Sequence, residues 1–428
     1  MSEKIKYIKT DQFEELVLKK DKVVLDFYST ECPPCEALAS KYDDLSEVYG
    51  DDIHFYKIFR QENRELAESL GVKSSPTVLF YKDGNEVGER LSGGIKRTDL
   101  IENLDMLIEP SRAEEIKNGF KSSETSCDVL IIGGGPAGLT AGIYTAQAKL
   151  NTIIVDQALP GGQVTTTHLV SNYPGFDKPI EGFMLMHYMS EQAKNAGVHF
   201  RSAVDITDID LTKKSITIDG LEKIHTKKII IATGASYREL GLKGEKEYKG
   251  KGISYCATCD AKYYDEKDVI VIGGGNSAIE ESIFITKFAK KVTIVHQFDK
   301  LQANKLAQEK AFANEKIDFI FEHEPREFSL REDGSMEVTV EDLKQGTHKT
   351  LSCAGVFIFA GMVPNIDLFD NKLELDKWGS IQTDEDMKTS IPDVYAVGDV
   401  KGKRFRQITT AVSDGTIAAI NISQELEE

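Results

Sequence analysis

Basic residues are in the minority: 52 Lys and Arg stand against 70 Asp and Glu, a formal net charge of −18. That balance argues against a nucleic-acid surface and for a soluble chain that stays apart from its neighbours. Long apolar runs are also lacking. The opening "MSEKIKYIKTDQF" has no apolar core of the signal-peptide kind, so a cytoplasmic protein without a membrane partner is expected. Val129 to Ala148 carry no charge, but "GGGPAG" interrupts the apolar run near its start. A strand, a turn and a helix suit that pattern better than a membrane span.

Cysteine is scarce, six in 428 residues, and four fall in two Cys-x-x-Cys units. These are Cys32/Cys35 in "TECPPCEAL" and Cys256/Cys259 in "SYCATCD". In a reducing cytosol such close pairs are redox or metal sites rather than staples. Half of a zinc site is the other reading of "CPPC", but no Cys/His set of suitable spacing completes it, and no metal is expected. Cys127 and Cys353, in "SCDVLII" and "SCAGVFIFA", read as inert buried thiols.

The length exceeds one compact core, and 40% hydrophobic residues suffice for several. Residues 1–108 read as a small α/β unit. "VVLDFYST" is a buried strand, "PCEALASKYDDLSEVYG" a helix, and "TVLFYKDG" with "EVGERLSGG" a strand, turn and strand. The polar stretch 109–126 reads as a linker, reaching about 60 Å when extended. One echo follows. "VLIIGGGPAGLTAGIYTA" from Val129 and "VIVIGGGNSAIEESIFIT" from Val269 each join an apolar strand, a glycine turn and a helix. Gly133, Gly135 and Gly138 mark the first copy; Gly273, Gly275 and Ala278 mark the second. That spacing lets backbone approach a pyrophosphate at a helix N-terminus, so two dinucleotide sites are expected. Asp156, ending "TIIVDQ", stands where an acid meets a ribose hydroxyl, and Asp399 ends the late apolar strand "DVYAVGDV". Two such sites beside a redox cysteine pair suggest one flavin and one nicotinamide.

From Ser126 onward the chain resembles the low-molecular-weight thioredoxin reductases. The motifs are "GGGPAG", "GGQVTTT", "SNYPGF", "ATGA", "CATCD", "GGGNSAIEE", "GMVPN" and "VGDV…RQITTA", in that order. The resemblance implies two Rossmann-like domains: an FAD domain split into 127–240 and 363–428, and an inserted NAD(P)-type domain at 241–362 carrying "CATC". It implies FAD contacts at Gly133, Gly135, Pro136, Ala137, Gly138, Asp156, Gly162, Gln163, Asn172, Ala232, Thr233, Gly234, Asp399, Arg406 and Gln407. It implies nicotinamide-nucleotide contacts at Gly273, Gly275, Asn276, Ser277, Ala278 and His296. Cys259 is expected to meet the flavin, Cys256 to attack a thioredoxin disulfide, and Asp260 to protonate a departing thiolate, with a helix cap as its compatible alternative role.

Residues 1–108 resemble thioredoxin itself. Asp26, Cys32/Cys35, Pro76 and Gly93 fall in that family's order. The resemblance implies a cis Ser75–Pro76 bond, an exposed attacking Cys32, a more buried resolving Cys35, and Asp26 as its proton acceptor. Glu31 and Pro33 depart from the family, and a glutamate beside the thiolate should raise the Cys32 pKa. The expected route runs from a reduced donor through FAD and Cys256/Cys259 to Cys32/Cys35, then to client disulfides such as those of peroxiredoxin or ribonucleotide reductase. A homodimer is implied, with the inserted domain rotating between partners.

The donor is where the resemblance fails. NADPH-using relatives carry arginines for the 2′-phosphate after the second fingerprint's next strand. Here "VTIVHQFDKLQANK" keeps His296 but has Gln297, Phe298 and Gln302 in those places. NADPH held through Lys300 and Lys305, NADH held through backbone and His296, and ferredoxin feeding the flavin directly all stay open, a nicotinamide donor being ranked first. Two rival functions also stay open: a peroxidase-feeding flavoprotein like that of alkyl hydroperoxide reductase, and a non-catalytic redox sensor.

Overall fold

A computed structural model describes residues 2–30, 32–167, 169–369 and 372–427. The chain forms two compact units. One comprises Met1–Gly162, Met186–Gly234 and Ile366–Glu428; the other comprises Gln163–Leu185 and Ala235–Asn365.

The first unit begins with a five-stranded sheet ordered Ile5–Ile8, His54–Phe59, Lys22–Tyr28, Thr77–Lys82, Asn85–Ser92. The first three strands are parallel and the last two join antiparallel. Helix Pro33–Tyr49 buries Leu38, Tyr42, Leu45 and Tyr49 against one sheet face, and Val17, Leu25, Phe27 and Leu79 fill the core on the other. Alternation along Lys22–Tyr28 sends successive side chains to opposite faces, so a strand buried on both reads as one apolar run. The Ser75–Pro76 peptide is cis, as the thioredoxin resemblance implies.

The expected linker is structured. Pro110–Asn118 is a helix with Pro at its first turn, and Ala113 and Ile116 pack into the same core as Leu104, Leu107 and Ile108. Two apolar side chains three residues apart suffice to dock a polar helix, a signal too sparse to outweigh its surroundings. Strand Ser123–Ile132 follows at once, so the tether is consumed by structure.

That strand is central to a seven-stranded sheet. Strands His199–Ser202, Thr152–Asp156, Ser123–Ile132, Glu222–Ile231 and Val394–Ala396 run parallel, and Ser215–Ile218 and Ile206–Asp210 add antiparallel. Helices Pro136–Gln147 and Ile408–Glu427 pack together.

The second unit holds a parallel sheet ordered Ile253–Ser254, Gly355–Ile358, Asp268–Ile272, Lys291–His296, Ile317–Phe321. A three-stranded antiparallel sheet accompanies it. The chain passes between units at 234/235 and 365/366, and residues 163–185 also belong to the second. These points differ from the expected 240 and 363. Ala235–Tyr237 and Met362–Pro364 pair antiparallel with each other, which assigns both passing segments to the inserted unit. Among the described residues no helix is long and apolar enough to cross a membrane.

Candidate active site: two disulfides and two glycine loops

Cys32 and Cys35 form a disulfide. Cys32 is the N-cap of helix Pro33–Tyr49, and its Sγ accepts the Cys35 amide at 3.2 Å. An amide and a helix N-terminus aimed at one sulfur favour its thiolate once the bond opens. The same Sγ lies 3.4 Å from the Ser75 carbonyl oxygen beside the cis proline. Cys32 is only 8% exposed while Cys35 is half-buried, the reverse of the expected order. The Ser75 carbonyl packed against Cys32 contributes to that cover. Glu31 lies outside the described residues.

Asp26 is buried at 1% exposure, and its Oδ1 has no hydrogen-bond partner among the described residues. Burial pushes its carboxyl up to about 7, with the Lys57 ammonium pulling the other way. A carboxyl poised there can exchange a proton near neutral pH.

Cys256 and Cys259 repeat the arrangement. They form a disulfide; Cys256 is the N-cap of Ala257–Asp260, and its Sγ accepts the Cys259 amide at 3.2 Å. The Thr258 hydroxyl stands 3.4 Å from the same sulfur. Cys259 is exposed and Cys256 half-buried. Asp260 occupies the N-cap position of the turn Ala261–Tyr264 but makes no capping bond with its side chain, which leaves the carboxylate for other work. Cys127 and Cys353 are buried free thiols, pushed up by burial to about 11 and about 12.

The first glycine loop joins strand Ser123–Ile132 to helix Pro136–Gln147, whose N-cap is Gly135. Gly133 has φ of +108°, and a Cβ there would meet the Ala232 carbonyl at 2.3 Å. At Gly138 a Cβ would stand 2.0 Å from the Gly133 carbonyl oxygen. At Gly135 it would meet nothing within 4 Å, so this face is open. Asp156 Oδ2 accepts the Gly134 amide at 2.6 Å and Oδ1 the Ala158 amide at 2.8 Å. The acid placed by sequence at a ribose is therefore also the clamp of the loop. Burial raises its pKa and these two bonds oppose the shift. Gly162 lies against Gly135, and a Cβ on Gly398 would stand 2.9 Å from the Ala137 methyl. Loops 133–138, 156–162, 232–234 and 398–400 thus gather at the C-terminal ends of parallel strands, where dinucleotides bind in such sheets.

A family model described as pyridine nucleotide-disulphide oxidoreductase matches residues 127–415, and the thioredoxin model matches residues 4–106. The chain belongs to the pyridine nucleotide-disulphide oxidoreductases. It is 43% identical to thioredoxin reductase of Peptoclostridium litorale over 71% of this chain and 98% of that protein. It is 41% identical to thioredoxin reductase of Bacillus subtilis (strain 168), over 72% and 97% respectively. Crystallised Lactococcus lactis thioredoxin reductase superposes with a TM-score of 0.66 at 40% identity, covering 70% of this chain and 98% of its own. Thioredoxin reductase of T. acidophilum gives 0.66 at 34% identity, covering 71% and 99%.

The residues present fit the FAD that this family implies. Besides the open Gly135 face, Asp399 Oδ1 and Arg406 Nε are buried polar atoms without hydrogen-bond partners among the described residues. Such atoms cost free energy unless a ligand satisfies them. Burial raises the Asp399 pKa, opposed by the Lys403 and Arg406 charges. Gln407 donates its Nε2 to the Arg406 carbonyl at 2.8 Å. Gln163 and Asn172 fall in the second unit.

The second glycine loop repeats the local geometry of the first. Gly275 is the N-cap of helix Asn276–Ile285 and its Cβ position is open; Ala278 is buried and Ser277 exposed. Asn276 Oδ1 accepts the Asn304 amide at 2.7 Å. His296 is 4% exposed, directly beneath Gly274, with Nε2 unpartnered among the described residues and its pKa lowered by burial. Gln297, Phe298, Lys300, Gln302 and Lys305 are all exposed, and among the described residues neither lysine forms an ion pair. Sequence reading passed over Glu281 on the same helix, pushed to about 7 by burial and then by Glu280. The doublet "EE" at a fingerprint helix was its signal.

Proposed function

We propose that this chain is a thioredoxin-disulfide reductase joined to its own thioredoxin, and that Cys32/Cys35 is both its internal substrate and its delivery group. The observation carrying this reading is the pair of like-built centres, each with its leading cysteine at a helix N-cap accepting the amide of the second. Bound FAD supplies the two-electron chemistry that couples a soluble electron donor to a dithiol. The remaining work belongs to the chain. The Cys256 thiolate attacks the Cys32–Cys35 disulfide and forms a mixed disulfide. Cys259 displaces it, leaving Cys256–Cys259 oxidised and Cys32/Cys35 as two thiols. Asp260 donates a proton to the departing thiolate, and Asp26 exchanges one with Cys35. Trapping tests this: Cys35→Ser combined with Cys259→Ser should accumulate a Cys32–Cys256 crosslink, within a chain or between two chains of a homodimer. Absence of that crosslink under mild oxidation overturns the reading.

NADPH or NADH is the favoured donor, because the second loop keeps its open Gly275 face. A second reading, reduced ferredoxin, is favoured by the exposed glutamines and Phe298 in place of phosphate-gripping arginines. Stopped-flow flavin bleaching with each donor decides between them.

A further inference from the structure

Within the first unit the thioredoxin domain is seated on the FAD domain by polar contacts that neither disulfide uses. Lys41, on the helix that Cys32 caps, is 5% exposed. Its Nζ donates to Ile95 O at 2.9 Å in its own domain, and across the seam to Ser202 O at 2.9 Å and Ala203 O at 2.6 Å. Lys96 Nζ lies 2.7 Å from Asp205 Oδ1, and the Thr98 hydroxyl donates to Asp205 Oδ2 at 2.5 Å. Arg97 Nε is 3.8 Å from Asp219 Oδ2. Lys194 Nζ reaches Glu36 Oε2 at 2.8 Å. A Cβ on Gly94 would stand 3.1 Å from Leu159 Cγ, a tight contact, so the loop sits close against that side chain.

Exposed ion pairs alone would carry little weight. Lys41 is different. An ammonium removed from water is tolerated only where other acceptors replace its hydration. Here two of its three carbonyl acceptors come from the FAD domain. Ala203 adopts φ of +53°, an uncommon conformation for a residue with a Cβ. The contacts also flank the sulfur. Glu36 directly follows Cys35 on one side. On the other, Ser75 O lies against Cys32 Sγ, Thr77 pairs with Ser92, and the chain turns at once into the docked Gly94 loop.

We propose that the FAD-domain ridge formed by Leu159, Lys194, Ser202–Asp205 and Asp219 is a docking site for the chain's own thioredoxin domain. It is a parked position in which the Cys32 face is withheld from external protein disulfides. This rests on the reductase reading above. On leaving the dock, Cys32/Cys35 pass two electrons and two protons to a substrate disulfide; it becomes two thiols as Cys32–Cys35 closes.

The test loads the thiols chemically, so it stands whatever donor reduces the flavin. Full-length protein is reduced with dithiothreitol, desalted, and mixed with oxidised insulin in a single-turnover assay. The wild-type rate should climb as salt rises from about 0.01 M to about 1 M, because the Debye length shortens from about 30 Å to about 3 Å. Asp205→Lys should react roughly tenfold faster at low salt and show a weaker salt dependence, with amides 94–98 exchanging hydrogen faster. Adding Lys96→Asp to Asp205→Lys should restore slow exchange and slow reaction. Thr98→Val, which changes no charge, should shift both readouts in the direction of Asp205→Lys by less. Rates and exchange in Asp205→Lys equal to wild type would overturn the proposal. Failure of the Cys32–Cys256 crosslink with these shifts intact would instead overturn the reductase reading alone.

Discussion

Lys57 Nζ lies 3.8 Å from Asp26 Oδ2 with both side chains buried, and the two residues face each other in the parallel register of their strands. The distance exceeds a direct hydrogen bond, so the lysine only partly offsets burial and the carboxyl stays raised to about 7.

The sign of the pH effect follows. Between an ordinary value of 3.8 and about 7, folded Asp26 keeps a proton that the unfolded chain has lost. Stability therefore falls as pH rises through that window and is level above it. Asp26→Asn should be more stable than wild type at pH ~8 by up to roughly 4 kcal/mol, and equal to it near pH ~4. Hydrogen exchange of strand Lys22–Tyr28 in denaturant reads the difference. The same variant should reduce client disulfides roughly a hundredfold more slowly at neutral pH. A gain in stability with a loss of rate identifies the carboxyl as functional rather than structural.

The glycine loop separates cofactor space from backbone packing. Gly135→Ala has ordinary φ of −74° and an open Cβ position, so the apoprotein should keep its melting temperature while losing FAD affinity. Gly138→Ala drives a methyl into the Gly133 carbonyl and should destabilise the unit by roughly 2–3 kcal/mol. Flavin absorbance after gel filtration, set against apoprotein melting, distinguishes the two. Equal loss of both properties in both variants would refute an open cradle at Gly135.

The sulfur relay predicts a sharp separation between binding and turnover. Cys256→Ser should retain FAD, since no glycine-loop residue changes, yet leave Cys32–Cys35 oxidised when donor is supplied. Thiol titration of the thioredoxin domain after donor addition measures it. Normal reduction in this variant would mean that electrons bypass Cys256.

What the sequence discloses divides by the reach of the contact. Gly133, Gly135 and Gly138 are readable because strand, turn and helix are contiguous and steric limits act within a few residues. The cysteine pairs are readable for the same reason. Lys57 is not, because its meeting with Asp26 needs strand order and register. Asp156 shows a related limit: its position at a strand end is legible, but its bonds to Gly134 and Ala158 depend on how the loop closes. Helix Pro110–Asn118 was hidden because only Ala113 and Ile116 are buried. Lys41 is the extreme case, since its acceptors Ser202 and Ala203 lie far away in sequence.

Donor choice is the property most open to redesign. Gln297, Phe298 and Gln302 are exposed beside the buried His296. In the resemblance to thioredoxin reductases, arginines at these places grip a 2′-phosphate. Each charge-assisted bond from a guanidinium to phosphate contributes about 1.5–3 kcal/mol. Gln297→Arg combined with Phe298→Arg should therefore lower the KM for NADPH by roughly tenfold or more and leave that for NADH nearly unchanged. Flavin reduction rates across concentrations of both nucleotides measure the ratio. If the double variant still discriminates as wild type does, the loop after strand Lys291–His296 does not face a nucleotide phosphate, and the ferredoxin reading gains.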